Sequence, residues 1–351
     1  MAQVVILGAG VMGSAMTLPA AHAGNRITLV GTHLDEEIVD SVASTGRHPR
    51  LNTTLPDVVA ARSWTEFGAA MNDGPHLLVL GVSSAGIPWA IERIAESIKS
   101  PVPILMITKG LAASDEGIDI LPHLLAREIE QRTGLSVPVM AVGGPCIAGE
   151  LAAQRDTSVI VAGHDPDQVA AASRLLRAPF YHARSSSDLV GVEICAAFKN
   201  FYTLAVGAPV GLLERDGKAP NGALMHNLAS SLFSQSLAEM AILVDALGGK
   251  IETVLGLAGS GDLYVTCQAG RNGRMGRLLG RGLPYSVAKR EHMSSDTVEG
   301  AQLALDLGPT LKNMMARGVL PHDRLPLTTA IIDAVCHDAP LVLSFDRYHR
   351  G

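Results

Sequence analysis

The stretch Val4-Val5-Ile6-Leu7-Gly8-Ala9-Gly10-Val11-Met12-Gly13 decides the fold. Four apolar residues predict a buried strand, and the residues after Gly13 are compatible with a helix. In this G-x-G-x-x-G pattern, Gly8 makes the tight turn, Gly10 lets the backbone approach a pyrophosphate, and Gly13 lets helix and strand pack closely. A second strand follows at the right distance, so the stretch predicts a dinucleotide site that includes Val11 and Met12, rather than a purely structural glycine turn.

Outward from this stretch, the first half of the chain alternates short β-branched runs with longer amphipathic ones. That alternation is typical of a parallel sheet with crossover helices. The predicted strands are Val4–Leu7, Arg26–Val30, Leu77–Val82, Ile104–Ile107, Val139–Val142 and Ser158–Val161. The predicted helices between them are Met12–Ala23, Asp35–Ala43, Ile87–Ile98 and Ile118–Gln131.

The pattern becomes helical after about Ser185. The run Ser185–Asp188 predicts a short linker that caps the next helix. The helical segments are Val190–Val206, Leu224–Leu247, Ile251–Ala258, Arg274–Gly280, Tyr285–Arg290, Thr297–Met315 and Leu327–Cys336. We therefore predict a Rossmann-type, doubly wound α/β domain over residues 1–187, followed by an all-helical substrate and catalytic domain over residues 188–351.

Composition limits the classes of function. The 351 residues are 47% hydrophobic and 18% charged, with 28 Lys and Arg against 34 Asp and Glu, a net charge of −6. A dispersed negative charge argues against a nucleic-acid partner. No apolar stretch approaches the ~20 residues that span a bilayer, so we expect no integral membrane contact and a cytoplasmic protein. The four scattered cysteines are read as free thiols, and no metal site is predicted.

The end of the second predicted strand bears on the choice of cofactor. An NAD enzyme usually places a carboxylate ~20 residues after the glycine motif. Here the strand ends Val30-Gly31-Thr32-His33, and Asp35 falls where the first turn of the next helix is expected. Thr32 and His33 are candidate donors to a 2′-phosphate, which favours NADP, although His33 is equally consistent with a solvated loop residue.

Ligands of open α/β sheets bind beyond the carboxyl ends of the strands. Lys109 follows one predicted strand and Gly143–Cys146 follows another, so both are candidates for contacting a ligand. In the helical half, polar residues interrupt apolar or glycine-rich stretches at Glu193–Asn200, Gly256–Leu263 and Gly270–Arg274. These clusters combine ammonium, guanidinium and carboxylate groups, the set needed to bind and protonate an anionic substrate.

Together, these motifs resemble one enzyme family over nearly the whole chain. They are Gly8–Gly13, His48–Leu51, Thr108–Leu111, Gly144-Pro145, Glu193 with Phe198–Asn200, Ala238–Met240, Gly256–Leu263, Arg271-Asn272 and Val298–Gly300. In this order and spacing they resemble the NAD(P)-dependent glycerol-3-phosphate dehydrogenases. The segments Gly31–Asp35 and His48–Leu51 are nearer an archaeal-type branch of that family.

The resemblance implies an oxidoreductase that reduces dihydroxyacetone phosphate to sn-glycerol 3-phosphate, usually as a homodimer. It implies catalytic roles for Lys199, Lys109 and Asp262. It implies substrate contacts from Lys109, Gly144, Cys146, Lys199, Asn200, Asp262, Arg271 and Asn272. It implies cofactor contacts from the glycine motif and from His33, Lys109, Ala148, Arg271, Val298 and Glu299. Lys199 would be the proton donor, with its pKa lowered by burial and a second cation such as Lys109.

Three positions depart from the family pattern. Cys146 stands where Ser or Thr is usual, and Ala229 and Gln235 replace basic residues. A thiol is a weaker hydrogen-bond partner than a hydroxyl, and a lost arginine removes a phosphate ligand. A dehydrogenase of another ketose or polyol phosphate is therefore one alternative. A non-catalytic NAD(P)-binding regulator is another, although it has no need of Lys199, Asp262 and Arg271 together.

Overall fold

The computed structural model describes residues 1–114, 117–217, 219, 221–268 and 270–348. The chain forms two compact units. The first comprises residues 1–109 and 121–189, and the second comprises residues 110–120 and 190–351. The domain boundary after residue 187 stays a prediction. The structure adds that residues 110–120, which lie inside the first half of the chain, pack with the second unit.

The strands, in chain order, are β1 (Gln3–Leu7), β2 (Arg26–Val30), β3 (Arg47–His48), β4 (Thr53–Thr54), β5 (Val59–Arg62), β6 (Leu77–Leu80), β7 (Ile104–Met106), β8 (Leu111–Ser114), β9 (Gly117–Ile120), β10 (Val139–Gly143), β11 (Thr157–Ala162) and β12 (Tyr181–Ser186). The helices of the first unit are α1 (Val11–Ala15), α2 (Thr17–His22), α3 (Glu36–Thr45), α4 (Phe67–Asn72), α5 (Ile87–Ser97), α6 (Leu121–Thr133), α7 (Ala148–Ala152) and α8 (Pro166–Leu175).

The first unit is built on an eight-stranded sheet in the order β12-β11-β10-β7-β6-β1-β2-β5. The six strands from β10 to β5 are parallel, while β11 runs antiparallel to β10. Taken in chain order, those six follow the 3-2-1-4-5-6 order of a Rossmann sheet, whose direction of winding reverses between β1 and β6. The predicted doubly wound fold is thus confirmed.

Burial explains why the central strands are recognisable in the sequence. Val4–Leu7 in β1 and Leu77–Leu80 in β6 are completely inaccessible to solvent. A parallel strand covered by helices on both faces reads as a continuous apolar run. The outer strands β5 and β12 alternate or expose polar residues, and for this reason the sequence analysis did not find them.

Two local predictions are wrong. The predicted helix from Ile118 begins at Leu121 instead, because Ile118–Ile120 pair with β8 in an antiparallel hairpin. The predicted linker is also partly strand, since Ser185 and Ser186 pair with Val161 and Ala162 of β11. Both errors arise because strand pairing, with the neighbouring β8 in one case and with the distant β11 in the other, overrides the local signals for a helix or a linker.

The second unit contains α9 (Leu189–Asp216), α10 (His226–Ala246), α11 (Ile251–Leu255), α12 (Asp262–Gln268), α13 (Arg271–Gly280), α14 (Tyr285–His292), α15 (Glu299–Ala316) and α16 (Pro326–Cys336). A π-helical turn, Leu257–Gly261, lies between α11 and α12. The β8–β9 hairpin packs against α15. The helical character predicted for this half of the chain is confirmed.

Helix α9 corrects the expectation about apolar stretches. It has 28 residues, and its most apolar window has a mean hydropathy of 1.4, so by length and composition it is able to cross a membrane. Inside the protein, however, 89% of that window is buried. This burial is typical of a core helix, and the apolar character of α9 is accounted for by packing.

Candidate active site

The glycine motif forms a tight loop at the carboxyl end of β1. Gly8 has φ of +111°, and a Cβ there would lie 2.7 Å from the carbonyl carbon of Gly81. A Cβ on Gly13 would lie 2.1 Å from the Gly8 oxygen, whereas one on Gly10 would meet nothing within 4 Å. The loop is therefore closed against the sheet on one side and open at Gly10, as a backbone that receives a pyrophosphate requires.

A cleft of about 340 Å³ opens beside this loop. It lies where β1 and β6 neighbour each other, the switch point at which ligands of such sheets bind. Its lining includes Gly8 and Gly10 from the loop after β1, Thr32, His33, Leu34 and Asp35 after β2, Arg50 between β3 and β4, Gly81, Val82 and Ser83 after β6, and Gly86 and Trp89.

Asp35 ties this loop to the end of β2. Its carboxylate accepts hydrogen bonds from Ala9 N (3.2 Å), Thr32 N (2.9 Å) and Thr32 Oγ1 (2.8 Å). Asp35 is largely buried at the position just before α3. All three bonds end on Oδ2, so this oxygen of the candidate acceptor for ribose hydroxyls is already occupied by protein donors.

The donors that face the cleft differ in part from those expected. The Thr32 hydroxyl donates to Asp35 and is not available to a phosphate. His33 is exposed and lies against Trp89, with ring centroids 5.7 Å apart. Arg50, which lies in the His48–Leu51 motif but was assigned no ligand from the sequence, is exposed and lines the same cleft. Arg50 lines the cleft because the turn between β3 and β4 reaches it. The local sequence does not predict this placement.

Lys109, Gly144 and Cys146 lie together in the first unit. They line a small cavity of about 30 Å³ with Met12, Tyr181 and other apolar residues. Lys109 follows β7 and Gly144 follows β10, the strand paired with β7. The structure therefore brings these two strand ends together, next to the helix that the glycine motif opens. Ala148 lies nearby in the chain as the first residue of α7.

Lys199 and Asp262 form a buried ion pair in the second unit. The Lys199 ammonium donates to Asp262 Oδ1. Lys199 lies mid-way along α9 and is 8% exposed, and Asp262 is fully buried at the start of α12. An amine with slight access to solvent and a direction set by a carboxylate is suited to proton transfer with a ligand placed beside it.

A chain of amide and carboxylate contacts begins at Asn200, the residue after Lys199. Asn272 Nδ2 donates to Asn200 Oδ1 (3.0 Å), and Asn200 Nδ2 donates to Glu299 Oε2 (3.0 Å). Asn272 Oδ1 in turn accepts from Gly300 N (2.9 Å). Helices α13 and α15 thus meet α9 at Asn200, and α12 meets α9 at Lys199, each through a residue that the resemblance singled out.

Arg271 lies at the margin of this group. Its Nη2 donates to Glu299 Oε1 over 3.4 Å, and the two side chains are 50% and 55% exposed. An exposed ion pair with this N–O distance is weak, so the Arg271 guanidinium readily leaves Glu299 for an anion that binds it more strongly. Val298, another predicted cofactor contact, is nearly buried and immediately precedes α15.

The departure at Gln235 has a structural account. Gln235 is buried in α10, and its Nε2 donates to Glu239 Oε1 at 2.8 Å. Glu239 also accepts hydrogen bonds from Leu327 N, Thr328 N and Thr328 Oγ1 at 2.6 to 2.7 Å. Gln235 therefore belongs to the contact between α10 and the start of α16. Burial raises the pKa of the Glu239 carboxyl, against the opposing effect of these donors.

A Rossmann sheet with an open glycine loop, together with a second unit that holds a buried lysine–carboxylate pair, defines a dinucleotide-dependent oxidoreductase acting on a CH–OH group. Family models agree: residues 3–169 match the N-terminal and residues 188–342 the C-terminal part of NAD-dependent glycerol-3-phosphate dehydrogenase. The chain belongs to the NAD(P)-dependent glycerol-3-phosphate dehydrogenase family.

Individual relatives support this assignment. The chain is 33% identical to an NADP(+)-dependent glycerol-3-phosphate dehydrogenase of Archaeoglobus fulgidus, over 82% of this chain and 83% of the relative. It is 31% identical to a glycerol-3-phosphate dehydrogenase [NAD(P)+] of Dechloromonas aromatica, over 96% and 98%. The archaeal relative agrees with the predicted resemblance to an archaeal-type branch.

Solved structures agree on the fold. The crystal structure of glycerol-3-phosphate dehydrogenase from Coxiella burnetii matches with a TM-score of 0.76 and 25% identity, over 97% of this chain and 96% of that one. The Plasmodium falciparum glycerol-3-phosphate dehydrogenase matches with a TM-score of 0.83 at 19% identity, over 99% and 95%, which supports the fold alone.

Proposed function

We propose that this protein reduces dihydroxyacetone phosphate to sn-glycerol 3-phosphate with NADPH or NADH, and that Lys199 donates the proton. The observation that carries the proposal is the buried Lys199–Asp262 pair, next in the chain to Asn200, which is hydrogen-bonded to Asn272 and Glu299. Buried charges are costly unless they are paired, so a lysine kept in this position indicates a chemical task for its ammonium group.

The proposed reaction adds one hydride and one proton to the ketone. The bound nicotinamide cofactor supplies a hydride to the carbonyl carbon of the ketone. Lys199 Nζ gives a proton to the carbonyl oxygen as negative charge develops there, and the amine then regains a proton from solvent. Asp262 keeps the ammonium group directed, as the carboxylate of a buried pair does. In the oxidative direction, the neutral amine takes the hydroxyl proton.

The remaining predicted residues are proposed to hold the ligands. Asn200 and Asn272 are proposed to contact substrate hydroxyl or carbonyl groups, and Arg271 to exchange its weak contact with Glu299 for the substrate phosphate or the cofactor. Lys109, Gly144 and Cys146 are proposed to contact the substrate from the first unit. Val11, Met12, Ala148, Val298 and Glu299 are proposed to contact the cofactor, along with the glycine loop.

For the nucleotide, we propose a preference for NADP over NAD. Oδ2 of Asp35 is occupied by three protein donors, and His33 and Arg50 line the same cleft. An arginine close to the end of the second strand is the feature that accommodates a 2′-phosphate. The catalytic efficiency kcat/KM is expected to be higher with NADPH than with NADH.

The assembly is proposed to be a cytoplasmic homodimer, as the resemblance implies. The proposal is supported by the match with the family along nearly the full length of the chain. It is checked by the molar mass in solution, as described in the Discussion.

The test is the initial rate of NADPH and NADH oxidation, followed at 340 nm, with dihydroxyacetone phosphate and a panel of ketose and ketotetrose phosphates. We expect the highest kcat/KM with dihydroxyacetone phosphate. A much higher kcat/KM with another ketose phosphate would show that this compound, rather than dihydroxyacetone phosphate, is the substrate. The departures from the family pattern at Cys146 and Ala229 would then be the first positions to examine. Tight nucleotide binding without turnover of any ketone would favour the regulator.

A further inference from the structure

His48 connects two parts of the nucleotide cleft and takes no part in the chemistry described above. It is fully buried at the end of β3, within the short β3–β4 hairpin. The turn of this hairpin carries Arg50, which is exposed and lines the cleft. A buried polar ring needs hydrogen-bond partners at both nitrogens, and both are present.

The two partners of His48 define one tautomer. Its Nδ1 accepts a hydrogen bond from Leu51 N at 3.0 Å. Its Nε2 lies 3.1 Å from the carbonyl oxygen of Ala9, which is able only to accept. The neutral ring therefore carries its proton on Nε2 and donates a hydrogen bond to the Ala9 oxygen, while Nδ1 accepts the hydrogen bond from Leu51 N in the turn. One side chain thus fastens the residue after Arg50 to the glycine loop.

The glycine loop does not depend on His48 alone. The carbonyl oxygen of Ala9 also accepts from Ser14 Oγ at 3.1 Å, and Ala9 N donates to Asp35. Gly8 N further donates to Val30 O at 2.8 Å. The Arg50 turn, in contrast, belongs to a separate two-stranded sheet, in which Arg47–His48 pair with Thr53–Thr54 rather than with the eight-stranded sheet. Losing either bond of His48 is therefore expected to disturb Arg50 more than the loop.

We propose that His48 is a positioning residue for cofactor specificity, which acts by holding Arg50 where the 2′-phosphate of NADP is recognised. This inference rests on the proposed function, because it assigns the 2′-phosphate to the side of the cleft formed by Arg50. The part of the nucleotide that NADPH and NADH share is bound by the glycine loop. Removing one bond of His48 therefore lowers affinity for NADPH and leaves affinity for NADH nearly unchanged.

Two substitutions separate the two bonds. His48→Asn retains an acceptor near the position of Nδ1 but has no donor that reaches Ala9 O. His48→Gln retains a donor near the position of Nε2 but has no acceptor for Leu51 N. Each loses about one hydrogen bond, so each is expected to weaken NADPH binding about fivefold. His76→Asn is the matched control, because His76 Nδ1 also accepts from a backbone amide, Gln3 N, outside the cleft.

The experiment measures dissociation constants of NADPH and NADH by the change in nicotinamide fluorescence, for the wild type, both His48 variants, Arg50→Ala and the double variants. Direct binding needs no ketone, so a failure of the proposed substrate does not affect the result. Both His48 variants are expected to lose NADPH affinity and keep NADH affinity within about twofold. In the Arg50→Ala background, the His48 variants should add nothing, because contacts that act through one another are not additive.

Equal losses for NADPH and NADH would overturn the inference and make His48 a support of the glycine loop alone. Full additivity with Arg50→Ala would overturn it as well, as would unchanged affinities in both His48 variants. A wild type that binds NADH more tightly than NADPH would also overturn it. Thermal unfolding of each variant confirms that the folded protein is the species measured.

Discussion

At the scale of single residues, the proposed chemistry of the second unit depends on one amine. Lys199 emerges from the apolar helix α9 and meets the buried carboxylate of Asp262. Breaking a buried pair by removing one partner leaves an uncompensated charge, which costs about 3–5 kcal/mol. Substitutions at this pair therefore affect both stability and turnover, and the two effects have to be measured separately.

Lys199→Ala is expected to lower kcat for ketone reduction by a factor of about 10² to 10⁴, the usual contribution of a positioned proton donor. The dissociation constant of NADPH should stay within about twofold, because the glycine loop is in the first unit. Single-turnover absorbance measurements and nucleotide titrations check the two quantities.

Lys312→Ala is the matched control for this variant. Lys312 also pairs with an aspartate of the second unit, Asp333, but about two-fifths of each side chain is exposed. Its removal should change kcat by less than about twofold, because exposed pairs contribute little. A Lys199→Ala enzyme that keeps near-normal rates would disprove the role given to Lys199.

At the scale of elements, close packing of helices holds the site together. Gly300, at the start of α15, approaches α9 so closely that a Cβ would lie 2.1 Å from the carbonyl oxygen of Asn200. The same turn donates Gly300 N to Asn272. The absence of a side chain at Gly300 therefore fixes how α15 meets the residues next to Lys199.

Gly300→Ala is expected to destabilise the protein by about 1–3 kcal/mol, because the clash is with backbone and one helix has to move. Turnover should fall with it, since Asn200 and Asn272 lie at the contact. Gly149→Ala on α7 is the control, because a Cβ there meets nothing within 4 Å. We expect Gly149→Ala to leave the melting temperature equal or slightly higher. Equal melting temperatures for Gly300→Ala and the wild type would contradict the packing argument.

The contact between α10 and α16 predicts a dependence of stability on pH. Burial raises the pKa of Glu239 above its ordinary value of 4.5. The folded protein therefore holds this proton to a higher pH than the unfolded chain does. The free energy of unfolding falls as pH rises from about 4.5 through the folded pKa, and each unit of difference costs about 1.4 kcal/mol above that range.

Glu239→Gln should remove this contribution. The variant is less stable at every pH, because an amide nitrogen is unable to accept the hydrogen bonds that one carboxylate oxygen receives. The informative quantity is the difference in unfolding free energy, wild type minus variant, measured by urea titration between pH 4.5 and pH 8. It should decrease as pH rises. A constant or rising difference would show that the donors around Glu239 outweigh its burial.

At the scale of the whole molecule, the candidate residues are divided between two units. The glycine loop, His33, Lys109, Gly144, Cys146 and Ala148 belong to the first unit, whereas Lys199, Asn200, Asp262, Arg271, Asn272, Val298 and Glu299 belong to the second. Lys109 is the last residue before the chain enters the β8–β9 hairpin of the second unit. The net charge of −6 is a sum over the whole chain. It therefore does not show that cationic residues, namely Lys109, Lys199, Arg271 and Arg50, are among the functional candidates.

The proposed assembly is tested on the full-length protein. The chain has a mass of 36.7 kDa, and light scattering coupled to gel filtration should report about twice that value over a range of concentrations. A mass equal to one chain at micromolar concentration, in a fully active preparation, would exclude the proposed homodimer.

The sequence predicted the central strands and the helical half well, because burial on both faces and helical periodicity are local properties. Arg26–Val30 matches β2 exactly as predicted. Strands β5 and β12 were not predicted, because they expose residues and lack the apolar run of a buried strand. The β8–β9 hairpin was not predicted, because its strands have four residues each and the second leads directly into α6. At the site, Lys199 and Asp262 were found through the family motifs, but Arg50 and His48 became candidates only when the β3–β4 hairpin was placed beside the glycine loop.

By itself, then, the sequence determined the class of sheet, the helical second half, the glycine loop and the family. These features depend on side-chain pattern, on glycine geometry and on motifs that are read along the chain. Only the tertiary structure decided that Asp35 binds Ala9 N, that Glu239 beside Gln235 binds Leu327 N, and that His48 joins the Arg50 turn to Ala9. The physical reason is that a hydrogen bond depends on distance and direction in space, and residues 26 to 88 positions apart acquire both only when the chain has folded.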